Sequence, residues 1–136
     1  MNPAFGRCLC GDIRFTAQLP SKWVAHCHCT MCQRGSGAAF VTWVGLDDEH
    51  CRIDDPDRRL HWYRSSDLGE RGFCLRCGST LFFRSPRWSG ELHVTLANFL
   101  GPVDRAQAHV FWDTHVDWVK LDDNDGLPRK VEQDVD

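Results

Sequence analysis

Cys74-Leu75-Arg76-Cys77-Gly78 decides the fold, because two cysteines three positions apart followed by glycine make the tight turn of a zinc knuckle. A knuckle is half of a tetrahedral site, so a second cysteine pair must meet it when the chain folds back. Cys8-Leu9-Cys10 supplies that pair, since two residues two apart project from one face of an extended segment. Spacing alone does not fix which clusters share a metal, but Cys8 and Cys10 with Cys74 and Cys77 make a natural S4 site. Such a site staples the start of the chain to a distant turn and couples metal binding to folding.

A second cluster remains. Cys27, Cys29 and Cys32 are near enough in sequence for all three sulfurs to reach one zinc at about 2.3 Å. His26, His28, the unpaired Cys51, or an Asp or Glu from elsewhere would supply a fourth ligand, and the site would then be another staple. Alternation in an extended segment turns His26 and His28 away from Cys27 and Cys29. Cys51 lies in an acidic stretch, and a lone cysteine behaves as a small buried hydrophobe. The expectation is an open fourth position, the feature that separates a catalytic zinc from a scaffold zinc. Three thiolates give the complex a formal charge of about −1, which disfavours hydrolysis and suits an incoming thiol that coordination would deprotonate.

Eight cysteines are also compatible with disulfides, but Met1 to Gly11 has no basic segment leading into an apolar one. No apolar run approaches the roughly 20 residues of a membrane span. The chain is expected to be cytoplasmic, with reduced thiols and no membrane partner. Its formal net charge of −3 argues against a nucleic-acid footprint.

Between the clusters the pattern is mostly β. Ile13, Phe15 and Ala17 alternate with Arg14, Thr16 and Gln18, the period of a half-buried strand. Runs rich in β-branched and aromatic residues predict strands at 39–44, 80–83, 92–96 and 109–112. A helical turn is expected over 30–34, where Cys32 must bend back toward Cys29. Asp47 to Asp57 reads as a solvated loop. The organisation expected is one zinc-binding domain over 1–130, with an acidic C-terminal tail over 131–136.

These residues resemble a known family, the glutathione-dependent formaldehyde-activating enzymes or S-(hydroxymethyl)glutathione synthases, which also includes a centromere protein V branch. The matching pieces run in order: Gly6 to Phe15, His26 to Ala38, Tyr63 to Ser66, Arg71 to Ser79, Trp118 to Leu121 and Gly126 to Pro128. The resemblance implies a β-tent fold of small antiparallel sheets stapled by zinc. It implies a structural zinc on Cys8, Cys10, Cys74 and Cys77 and a catalytic one on Cys27, Cys29 and Cys32. It also implies glutathione as cosubstrate, formaldehyde or another small aldehyde as electrophile, and carbon–sulfur lyase or synthase chemistry. By motif position, Arg34, Ser36, Ser65 and Ser66 would meet glutathione, whose two carboxylates call for a cation and neutral donors. Arg71 reads equally as a neighbour of the metal or as a surface partner of Asp67 or Glu70. Trp43 and Trp112 read as core, and His50, His61, His93, His109 and His115 as structural or solvent-facing. The rival from another class is a non-enzymatic zinc module that carries glutathione or binds a protein partner.

Overall fold

A computed structural model describes residues 2–131. Its strands, in chain order, are β1 (Asn2–Arg7), β2 (Arg14–Leu19), β3 (Trp23–Cys27), β4 (Val41–Asp47), β5 (Cys51–Asp54), β6 (Leu60–Arg64), β7 (Glu70–Cys74), β8 (Thr80–Arg84), β9 (Glu91–Thr95) and β10 (Ala108–Val110). One α-helix, α1 (Thr30–Ser36), interrupts them, so the protein is mostly β as its alternation predicts. The strands form a three-stranded sheet, β1-β2-β5, and a seven-stranded sheet, β10-β3-β4-β9-β8-β7-β6. Pairing is antiparallel except between β10 and β3, which run parallel with His109 opposite His26.

The period-two reading of β2 holds side chain by side chain. Ile13, just ahead of the strand, and Phe15 and Ala17 within it are buried, while Arg14 is exposed. Their face joins the main core with Val44, Leu81, Phe82 and Val94 from the larger sheet. Phe15 meets Phe82 and Phe99 edge-on, with ring centroids 5.6 and 5.0 Å apart. Burying a side chain of Phe82's size contributes about 1.5–3 kcal/mol, so this aromatic contact holds the small sheet on the large one.

The expected solvated loop at 47–57 is corrected. A short 3-10 turn, Asp48–His50, leads into β5, which pairs antiparallel with β2 through Cys51 opposite Ala17 and Ile53 opposite Phe15. Asp54 and Arg52 face outward while Cys51 and Ile53 pack on the core, and this edge position lets an acidic segment be a strand. The helical turn extends to Ser36, where Gly37 ends it in the left-handed conformation. The strand expected at 39–44 is shifted to Val41–Asp47, and the one at 109–112 to Ala108–Val110, after which Trp112–Thr114 forms a 3-10 turn. Of the expected acidic tail, residues 132–136 lie outside the described residues.

Candidate metal centres

Both cysteine clusters are assembled, by different local means. Cys8 follows β1 in a tight turn in which Gly11 N–H donates to Cys8 O at 3.1 Å and Cys8 N–H to Ile13 O at 3.0 Å. Cys74 ends β7, and Gly78 closes the knuckle by donating to Cys74 O at 2.8 Å with a φ of 77° that glycine adopts without strain. Leu9 N–H donates across to Ser79 Oγ at 2.9 Å, joining the two turns directly. Asp12 adds ion pairs to Arg59 and Arg76, both at 3.1 Å.

The sulfurs of Cys8, Cys10, Cys74 and Cys77 all lie within 4.8 Å of one another, with Cys8–Cys10 at 3.6 Å and Cys10–Cys74 at 3.8 Å. A tetrahedron with zinc–sulfur bonds of about 2.3 Å has edges of about 3.8 Å, whereas a disulfide needs about 2.05 Å. All eight cysteines are free. The donor set and its spacing fit zinc.

The triplet is set by a strand end and a helix start. Cys27 closes β3, and Cys29 caps α1 with its sulfur accepting from Cys32 N–H at 3.2 Å. One turn of α1 then returns Cys32 to within 3.4 Å of Cys27. The three sulfurs lie within 4.8 Å of one another, and among the described residues no histidine or carboxylate ligand atom joins them. His26 is turned to Thr42 Oγ1 at 2.7 Å, His28 to His109 at 2.8 Å, and Cys51 Sγ donates to Asp47 O at 3.5 Å. For His26 this follows from the alternation of β3, and Cys51 is held apart on β5.

Two further donors reach the triplet. Trp43 Nε1 donates to Cys32 Sγ at 3.4 Å and Arg71 Nη1 to the same sulfur at 3.6 Å. Both favour negative charge there. Within the triplet, hydrogen bonds from Cys27 and Cys32 lower the Cys29 thiol to about 2, and bonding to Cys29 pushes Cys27 up. One of the three thiols, Cys29, is thereby favoured as a thiolate while Cys27 and Cys32 are raised, and three sulfurs match the protein-ligand count of a zinc site that keeps one position open.

Cys27, Cys29 and Cys32 form part of the wall of a cavity of about 640 Å³. Trp23, Trp43, Phe83, Trp88 and Phe111 make much of the rest, with Arg71, Lys22 and Lys130 as its cations. Of the two places open to Arg71, it takes the one beside the triplet. Glu70 pairs instead with Arg84 at 3.0 Å, and Arg71 lies 5.1 Å over the Phe83 ring. Its place follows from the β7–β8 register, which sets Arg71 opposite Phe83.

Of the residues expected to meet glutathione, none lines this cavity. Arg34 is exposed at the end of α1. Ser36 Oγ donates to Cys32 O at 2.7 Å and accepts from Ala38 N–H, finishing the helix. Ser65 accepts from Arg71 Nε at 3.3 Å, and Ser66 accepts from Gly69 N–H at 2.9 Å in the turn before β7.

The histidines expected to lack a common site do converge in part. His28 and His109, both 1% exposed, form a chain with Asp125, which accepts from His109 at 2.8 Å and from Arg129 at 2.9 Å. Burial and the facing His109 lower His28 to about 4, so it is neutral at pH 7. Gln33 and Thr114 both donate to His28 O, at 2.8 and 3.0 Å, pinning the peptide between two triplet cysteines. His109 is thus buried and held at both ring nitrogens.

A mostly β protein with two thiol clusters of zinc-ligand geometry, one of them walling a cavity, is the class that fold and site define. The chain belongs to the family described as glutathione-dependent formaldehyde-activating enzyme, whose model matches residues 3–114. A Halomonas elongata protein named for the same family is 25% identical over 125 residues, 86% of this chain and 80% of that one. An uncharacterized lyase of Schizosaccharomyces pombe is 30% identical over 78 residues, 57% of this chain and 55% of its own length. The crystal structure of a Rhodobacter sphaeroides protein superposes with a TM-score of 0.60 at 19% identity, covering 92% of this chain and 98% of that one, a likeness of fold.

Proposed function

We propose that the protein is an enzyme of the formaldehyde-activating type, which adds the thiolate of glutathione to formaldehyde or another small aldehyde and, in reverse, acts as a carbon–sulfur lyase. The single observation that carries this reading is the triplet: three sulfurs within 4.8 Å of one another on the wall of a cavity, with no fourth ligand atom beside them among the described residues. Family membership over residues 3–114 supports the same chemistry.

In this reading Cys8, Cys10, Cys74 and Cys77 hold a structural zinc, and Cys27, Cys29 and Cys32 hold a second, catalytic one. Bound there, zinc would supply the acidity that turns an incoming thiol into a thiolate near neutral pH. Arg71 offsets the negative charge gathered on the triplet and offers N–H donors to a carbonyl oxygen as it becomes anionic. Phe83 and Ser65 hold that guanidinium in place. The carbon–sulfur bond forms as the carbonyl π pair moves onto oxygen, and oxygen takes up one proton to balance the one lost by the thiol. Lys130 gives a glutathione carboxylate a cationic partner in the cavity, whereas Lys22 is already paired with Glu91 at 2.8 Å. Arg34, Ser36 and Ser66 stand outside it, and Ser65 acts through Arg71.

All eight cysteines are free, which supports work in a reducing, cytoplasmic compartment. No helix among the described residues is long and apolar enough to cross a membrane. The test is magnetisation exchange between free aldehyde and its glutathione adduct, followed with and without protein because the addition also proceeds unaided. The expected result is exchange faster than the protein-free control and lost in Cys29→Ser. Equal rates with and without protein contradict the enzyme.

A further inference from the structure

The cavity that meets the triplet is far larger than a one-carbon electrophile requires, and its walls are of a particular kind. Trp43 and Phe83 pack with the three cysteines, and Trp23, Trp88 and Phe111 pack against that group. Phe83 ties the walls together, its ring centroid 6.2 Å from Trp43 and 6.1 Å from Trp88.

The walls are built. Trp23 lies flat on Gly45, where a Cβ would come within 2.1 Å of Trp23 Cε2, so any side chain at position 45 would displace the indole. Its Nε1 donates to Glu91 Oε1 at 3.4 Å, and its ring stands edge-on to His93 at 4.6 Å. Trp88 is held by a 3-10 turn whose first residue, Pro86, follows Ser85; Ser85 Oγ accepts from Arg87 N–H at 3.2 Å and Ser85 O from Trp88 N–H at 3.1 Å. Formaldehyde has no group that such walls recognise. Glutathione is polar along its length and is matched by the cations, which leaves the aromatic faces without a partner of their own kind.

We propose that this cavity is a subsite for an aromatic substituent carried by the electrophile, so that the preferred small aldehyde is an aryl aldehyde, or its thiol adduct, in place of formaldehyde. The proposal rests on the reading of the triplet as the place where thiol and aldehyde meet. An aromatic ring entering between indole and phenyl faces gains both area burial and offset or edge-on ring contacts. The remote substituent then contributes binding that a one-carbon aldehyde lacks, and it fixes the carbonyl beside Arg71. The bond changes are those of the parent addition and need no further reactant.

The experiment compares S-benzylglutathione with S-methylglutathione as ligands of the zinc-loaded protein, read by quenching of tryptophan fluorescence. These thioethers share the peptide and differ only in the group offered to the cavity. The expected result is binding of the benzyl compound at least about tenfold tighter, from burial of one ring. Trp88→Ala, and separately Trp23→Ala, should each erase most of that advantage while leaving the methyl compound within about twofold and the zinc content unchanged. A benzyl-to-methyl ratio near one in the native protein overturns the subsite. Retention of the full ratio in both folded variants overturns it as well. Should one variant fail to fold, the other decides. If glutathione still perturbs the cobalt-substituted triplet while the ratio is near one, the subsite alone is wrong. If glutathione perturbs nothing and neither thioether binds, the reading of the triplet falls with it.

Discussion

The two cysteine clusters are built from the same ligand and differ in what surrounds it. In the closed cluster, four protein sulfurs join two turns, and the neighbours are backbone donors and the Asp12 ion pairs with Arg59 and Arg76. At the triplet, three sulfurs are backed by an indole N–H and a guanidinium and face a cavity walled by aromatic rings. The first arrangement leaves nothing for a ligand to add. The second supplies charge compensation and space, which a staple does not need. Ligand type alone does not separate the two clusters; the cation and the empty volume beside the triplet do.

The comparison breaks most visibly at the closed cluster. Cys74→Ser removes one of four ligands from a site whose metal, on the order of 10 kcal/mol of folding free energy, rivals the whole stability of about 5–15 kcal/mol. The protein should fail to accumulate in folded form, as seen by loss of near-ultraviolet circular dichroism and of both metals. At the triplet the order is inverted. Cys29→Ser should leave a folded chain with one zinc per molecule and lower adduct exchange by about 10³-fold or more. If Cys29→Ser unfolds the chain as fully as Cys74→Ser does, the division into staple and site is wrong.

Arg71 sharpens the contrast at smaller scale. Arg71→Ala should lower the catalysed rate by roughly 10²-fold, the loss expected for one donor aimed at developing charge, with melting nearly unchanged. Arg71→Lys should recover part of it, since the charge returns without the planar fork. Equal rates for the native protein and Arg71→Ala would confine this residue to packing on Phe83.

The smallest effect concerns the histidine chain behind the triplet. Arg129 and then His109 hold the Asp125 carboxyl well below the usual range. A depressed carboxylate stabilises the fold above its unfolded pKa and loses that contribution as pH falls from near 3.8 toward the folded value. Asp125→Asn should therefore lower the melting temperature by a few degrees at pH 7 and make the acid limb of stability against pH shallower. Native-like acid sensitivity in the variant would show that the chain does not depend on this charge.

Much of this is legible in the sequence itself. Short-range spacing of Cys8, Cys10, Cys74 and Cys77, and of Cys27, Cys29 and Cys32, is local information, and so is the alternation of Ile13, Phe15 and Ala17. What escaped depends on pairing between distant strands. β5 looks like a loop because its acidic residues sit on an edge, and only its register with β2 shows Cys51 and Ile53 facing the core. Arg71 stays undecided between surface and site until β7 pairs with β8 and brings Phe83 beside it. His28 and His109 meet because β10 runs parallel to β3, a long-range contact that no spacing announces. Arg34 and Ser36 follow the triplet closely in sequence, yet α1 carries Arg34 to the surface and spends Ser36 on its own last turn.

The most direct measurement is the absorption spectrum of protein loaded with two cobalt ions per chain, recorded as glutathione is added. The sulfur-to-cobalt bands should change in proportion to one metal of the two, and the change should vanish in Cys29→Ser. A spectrum that stays constant while both metals remain bound would show that the triplet accepts no thiol, and the proposed chemistry would be contradicted.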